Sequence, residues 1–215
     1  MKIAIIGATG FVGSAILNEL NARNHDITAI ARNPKRQNNA HVTWIKADAF
    51  IETELRDAVS DHDVVINAYS AGWTNPNFYS DFSNASKTIQ EAVKNSGVQR
   101  FITIGGGGSL YVAPNVQAVD TPDFPKEYYT GATAARDYLN HIKEEKELNW
   151  TFFSPALEMH QGITTGRTGR YRLGLEHPVF DENQRSMLSV EDVAVVIADE
   201  VETPKHHQMR FTAAY

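Results

Sequence analysis

The chain has no cysteine. That absence removes disulfide scaffolds, thiolate nucleophiles, iron–sulfur ligation and cysteine-based zinc sites together. Long apolar runs are missing too. No stretch approaches the roughly 18–20 residues needed to cross a bilayer, and Met1-Lys2 leads into a short strand-like run instead of a signal-peptide core. The expected location is therefore cytoplasmic. Positive charge is in short supply: 20 Lys and Arg against 26 Asp and Glu leave a net charge of −6. With no basic stripe to offset that field, neither nucleic acid nor a membrane is an expected partner. What is present, 42% hydrophobic and 21% charged residues in a chain of 215, suits a single α/β unit spanning 1–215 with its own core.

Lys2-Ile3-Ala4-Ile5-Ile6 is short, apolar and rich in β-branched residues, as a strand buried on both faces should be, and Gly7 ends it. Similar runs at Asp26–Ala31, Val42–Lys46, Asp63–Ala68, Arg100–Ile104, Trp150–Phe153 and Met209–Ala213 are separated by segments that mostly read as helices. Such alternation implies right-handed crossovers and a doubly wound parallel sheet. Asn75-Pro76 opens a helix in which Phe78, Phe82, Ala85, Ile89, Ala92 and Val93 share a face, with Gly97 placed to end it. Ala135, Tyr138, Leu139 and Ile142 mark another. Ser189 and Asp192 have capping-box spacing ahead of Val193, Val196, Ile197 and Val201, and Thr203-Pro204 stops that helix. From about 154 to 190 periodicity fades and Gly, Pro, Arg and His accumulate, which predicts a loop-rich lobe on the substrate side.

Gly7-Ala8-Thr9-Gly10-Phe11-Val12-Gly13 follows the first strand and opens the first helix. In that context Gly7 permits a tight turn, Gly10 removes the Cβ that would hold a diphosphate off backbone N–H groups, and Gly13 lets the helix pack closely on the sheet. The helix N-terminus adds its dipole and unpaired donors. The competing reading is a plain strand–turn–helix with glycines for packing alone.

This turn, with glycines spaced three and three, resembles the atypical and extended short-chain dehydrogenase/reductase superfamily. Gly97-Val98-Gln99-Arg100-Phe101, Trp150-Thr151-Phe152-Phe153-Ser154-Pro155-Ala156 and Thr168-Gly169-Arg170-Tyr171-Arg172-Leu173-Gly174 resemble, more narrowly, the compact NAD(P)H-binding reductases of the NADH-flavin reductase type, related to biliverdin reductase B and to NmrA-like proteins. The resemblance spans nearly the whole chain. It implies a Rossmann-like doubly wound sheet with a small C-terminal substrate lobe, and a diphosphate lined by Gly7, Thr9, Gly10, Phe11 and Val12.

The end of the second strand, where an acidic residue favours NAD, here carries Arg32, with Lys35 and Arg36 beyond it. A guanidinium there suits a 2′-phosphate, so NADP(H) is the expected cofactor, with NAD(H) the alternative. By the same resemblance Asp48 and Ala49 lie beside the adenine and Ala68 and Tyr69 against the nicotinamide ribose. Gly105 and Gly106, in the run Gly105–Ser109, are expected to let the backbone approach the nicotinamide, and Pro155 and Ala156 to border its carboxamide.

The superfamily's proton-delivery pair, a Tyr with a Lys four residues on, is absent. Ala132 follows Tyr128 and Thr133 follows Tyr129. Ser109 is the candidate catalytic hydroxyl. Reducing a ketone creates a basic alkoxide that needs an acid, whereas a reduced flavin is a delocalised, weakly basic anion that water protonates. The expected reaction is hydride transfer to a small aromatic acceptor, a flavin bound as substrate and not as a tightly held cofactor. Arg167 and Arg170 are candidates for an anionic acceptor group, and Tyr111, Phe124, Tyr128 and Tyr129 for stacking. His160 is a minor candidate proton donor. His206-His207 lacks ligands at suitable spacing, and no metal is expected. The expected partner is that small molecule, with the chain a monomer or weak homodimer. The alternatives are a non-catalytic NmrA-like cofactor sensor and, further off, a sugar-nucleotide epimerase or dehydratase.

Overall fold

In a computed structural model that describes residues 1–34 and 41–215, the apolar runs become the strands of one twisted sheet. The chain runs β1 (Lys2–Ile6), α1 (Phe11–Ala22), β2 (Asp26–Ala31), β3 (Val42–Lys46), α2 (Glu52–Val59), β4 (Val64–Asn67), α3 (Phe78–Ser96) and β5 (Arg100–Ile104). It continues through a short hairpin, β6 (Tyr111–Ala113) and β7 (Val116–Gln117), to α4 (Lys126–Ile142), β8 (Asn149–Ser154), β9 (Arg172–Gly174), α5 (Val190–Glu202) and β10 (Met209–Ala214). The large sheet has the order β3-β2-β1-β4-β5-β8-β10-β9 and is parallel except for β9, which pairs antiparallel with β10.

Alternation along β1 fills both faces. Ile3 and Ile5 join Ile16, Leu20, Val193 and Ile197 in the layer under α1 and α5. Ala4 and Ile6 join Leu55, Phe82, Ile89 and Leu139 in the layer under α2, α3 and α4. A strand covered on both sides has no use for polar alternation, which is why these runs are continuously apolar. Helix α3 buries the face its spacing predicts, and Gly97, at φ +83°, ends it in the left-handed region that other residues rarely adopt.

From β1 the strand order moves outward to β2 and β3, then returns to the other side of β1 with β4. The crevice over the carboxyl ends of β1 and β4 is therefore the switch point, where sheets of this kind take ligands. The segment 154–190 is as loop-rich as its composition implies, but its three-residue β9 extends the main sheet. Nothing in the periodicity foretold β9, β6 or β7, because strands this short complete barely one alternation. No described helix is long and apolar enough to cross a membrane.

Candidate functional site

At the switch point Gly7 has φ +80°, and a Cβ placed on it would lie 2.6 Å from the Ala68 carbonyl oxygen. Only glycine brings the end of β1 this close to the end of β4. A Cβ on Gly13 would lie 2.2 Å from the Gly7 carbonyl oxygen, so packing demands glycine there too. Gly10 differs. Its Cβ would meet only the Gly7 carbonyl, at 3.2 Å, a much milder contact than those at Gly7 and Gly13. Gly10 is the N-cap of α1, with φ −77° and ψ 172°, and no side chain caps the helix. Thr9, Gly10 and Phe11 are exposed. The first amides of α1, at Phe11 and Val12, thus open into the crevice with the positive end of the helix dipole behind them, while Gly13 is buried against the turn.

The rim is built from strand ends. Arg32 is exposed just beyond β2, while Lys35 and Arg36 lie outside the described residues. Asp48 shapes the turn into α2: one carboxylate oxygen accepts from the Phe50 N–H at 3.0 Å, and its own N–H donates to Glu54 at 3.0 Å. Among the described residues its second oxygen has no partner. Ala49 is buried behind it. After β4, the Tyr69 N–H donates to Asn67 Oδ1 at 3.0 Å. The Tyr69 ring meets Phe50 edge-on at 6.4 Å and lies 6.5 Å from Phe82. Burial, and after it the charge of Asp81, raises its phenol above the usual range.

The glycines after β5 have a different reason from the one expected. A Cβ on Gly105 would strike the Phe152 ring at 2.0 Å, one on Gly107 the Pro155 carbonyl oxygen at 2.7 Å, and one on Gly108 the Ala132 Cβ at 2.7 Å. On Gly106 it would touch Ala135 at 3.2 Å. Packing of this bend onto α4 and β8 accounts for the run, although Gly105 and Gly106 remain partly open at the crevice. Pro155 and Ala156 are buried beneath it.

Ser109 requires a correction. It is wholly buried, and its hydroxyl donates to the Gly106 carbonyl at 3.1 Å and accepts from Arg210 at 3.1 Å. Arg210, itself buried, also donates to the Ser109 carbonyl at 2.8 Å and pairs with Glu176. The serine is a fastener of the bend, and none of it is exposed to the crevice. Arg167 is likewise committed elsewhere: its guanidinium bonds both oxygens of Glu19, at 2.7 and 2.8 Å, two turns down α1 from the glycines. Arg170 opens onto a groove of about 560 Å³ with Thr165, Thr168, Tyr171, Arg172 and Tyr215. That groove adjoins β9, the edge strand of the sheet. Arg167 is thus committed to Glu19 on α1, and Arg170 lines the groove beside β9. His160 is exposed, its Nδ1 accepting from the Gly162 N–H at 3.1 Å. Tyr128 and Tyr129, at the start of α4, are exposed.

One side chain at this edge escaped the sequence reading. Trp73, in the loop after β4, is 63% exposed and meets Tyr128 edge-on with ring centroids 5.5 Å apart. It stands in the turn-forming segment Ser70–Pro76, with no apolar periodicity around it.

Residues 7–204 match the sequence profile of the NAD(P)H-binding family. The chain belongs to that family. YwnB of Bacillus subtilis, itself uncharacterized, is 34% identical over 214 residues, covering 99% of this chain and 97% of its own. Among solved structures, a candidate epimerase from Bacteroides thetaiotaomicron is 42% identical, with a TM-score of 0.90 over 100% of this chain and 96% of that one. A candidate NADH-flavin reductase from Streptococcus pneumoniae is 33% identical, with a TM-score of 0.88 over 100% and 99%. A nicotinamide cofactor is what this family binds, and the open N-terminus of α1 lies at the switch point where sheets of this kind take ligands.

Proposed function

We propose that the chain is an NADPH-dependent reductase that passes hydride to a small planar aromatic acceptor, foremost a flavin. The observation that carries this reading is an uncapped helix N-terminus at the switch point of an NAD(P)H-binding fold that has no proton-delivery pair. Ala132 and Thr133 stand where a Lys would follow Tyr128 or Tyr129, and Ser109 is buried. When bound, the nicotinamide supplies the hydride. In this reading the turn Gly7–Gly13 holds its diphosphate through main-chain N–H groups. Arg32, with Arg36, takes the 2′-phosphate and repels nothing that NADPH carries. Asp48 accepts from the adenine, Ala68 and Tyr69 line the ribose, and the partly open Gly105 and Gly106 face the nicotinamide with the buried Pro155 and Ala156 behind them. What these residues contribute is orientation of two rings at reacting distance, and that suffices when water protonates the product.

The test is consumption of NADPH, followed at its near-ultraviolet absorbance, with FMN, FAD, riboflavin and quinones in turn. Acceptor-dependent turnover is expected, and its absence with every acceptor rejects the reading. The buried Ser109 also suits a second reading, a cofactor sensor acting on a protein partner. Equal affinity for NADPH and NADP⁺ without turnover favours that one. Epimerase chemistry, which the candidate epimerase's likeness raises, needs a base for a hydroxyl proton, and this edge presents no Tyr-Lys pair to serve as one.

A further inference from the structure

Trp73 has the largest exposure of any large hydrophobic residue described, yet it is firmly held. Its indole stacks on Phe78 with centroids 5.2 Å apart and planes 28° apart. Phe78 in turn stacks on Phe82 at 5.9 Å and 14°. Gly131 of α4 lies against the ring, so close that a Cβ there would sit 2.7 Å from it. The loop beneath is tied down as well: the Asn75 amide donates to the Ala71 carbonyl at 3.2 Å and to Asp81 at 2.8 Å. An exposed aromatic in this state has already given up its rotamer freedom, so binding to it costs little further ordering.

The three rings form a column, Phe82–Phe78–Trp73, buried at one end and open at the other. The open end stands in the loop that leaves β4 at the switch point. Trp73 is four residues beyond Tyr69, and Ala132, next to Gly131, is the residue that Gly108 of the bend after β5 packs upon. A single indole flanked by Ser70, Thr74 and Asn75 is far smaller than the roughly 800 Å² per partner of a protein interface, but it matches the face of one ring system.

We propose that Trp73 is the docking plate for the acceptor's planar ring, the next member of that column, with Tyr128 fixing its edge. That the docked ring is then reduced rests on the reductase reading; that it docks does not. Riboflavin, which is uncharged, is the probe, titrated into the NADP⁺-saturated protein. The Trp73 share of the emission, read as the difference from Trp73→Phe because the chain holds three tryptophans, should quench on binding. Trp73→Ala should remove the quench and weaken riboflavin about 3- to 10-fold, the range of a ring-stacking contribution. Trp73→Phe should restore most of the affinity, and neither variant should alter NADP⁺ binding. Unchanged riboflavin affinity in Trp73→Ala, equal losses in both variants, or a parallel loss of NADP⁺ binding overturns the proposal. So does a shift of Trp73 emission with protein concentration alone, which would mean that a second copy covers the ring. Riboflavin docking without NADPH oxidation would reject the reductase reading and leave the plate standing. Oxidation with an unchanged acceptor KM in Trp73→Ala would do the reverse.

Discussion

Helices α1 and α5 lie side by side on one face of the sheet and both descend from its carboxyl edge, yet their first turns are built in opposite ways. Helix α5 is closed. Ser189 accepts from the Asp192 N–H at 3.1 Å, and the Tyr215 hydroxyl accepts from the Ser189 N–H at 3.2 Å. The Asp192 carboxylate, fully buried, accepts from the Thr168 and Gly169 N–H groups and from the hydroxyls of Thr168 and Tyr215. Helix α1 begins at Gly10 with no side chain on its amides. Protein groups satisfy one helix end and bind the lobe to the sheet through it. The other end is left open, with no side chain on its amides. Asp or Ser at an N-cap is better than glycine by only a few tenths of a kcal/mol, so Gly10 leaves the α1 amides open at little cost in stability.

Unmaking the closed end should have the largest effect. Asp192→Ala strands several buried donors and should cost about 3 kcal/mol in chemical denaturation; a cost below about 1 kcal/mol would mean that this end does not hold the lobe. The converse change closes the open end. Gly10→Asp gives α1 a cap, so its Tm should hold or rise while NADP⁺ affinity in calorimetry falls by about 100-fold or more, or roughly 2.7 kcal/mol. Undiminished binding would show that the ligand does not use these amides. Arg32→Glu sharpens the contrast at the rim: NADPH should weaken about tenfold more than NADH, and equal losses would dismiss the 2′-phosphate assignment. The smallest effect belongs to Ser189→Ala, which should cost about 1 kcal/mol and leave cofactor affinity unchanged, since that cap serves α5 alone.

Those two turns also show what was legible beforehand. The glycine turn and the Ser189 cap are local patterns, a few residues reporting on their own backbone, and both stand where the sequence puts them. The capping box is only half formed, because Asp192 turns to Thr168 and Gly169 and Tyr215 takes its place at the Ser189 N–H. The packing demand on the glycines after β5 is invisible in the sequence because their neighbours in space, Phe152, Ala132 and Pro155, belong to elements remote in the chain. Ser109 was assigned to chemistry for the same reason: Arg210, which seals it, is 101 residues away. Arg167 finds Glu19 across 148 residues. Trp73 gains meaning only when α3 and α4 bring Phe78, Tyr128 and Gly131 around it.

By itself the sequence determined the alternating strands and helices, the twice-covered sheet and the turn that a dinucleotide requires, since hydrophobic period and glycine placement act within a few residues. Tertiary structure alone decided which polar groups are consumed by partners and which stay open at the crevice. Hydrogen bonds and stacked rings join whatever the fold makes adjacent, and a one-dimensional pattern carries no record of that adjacency.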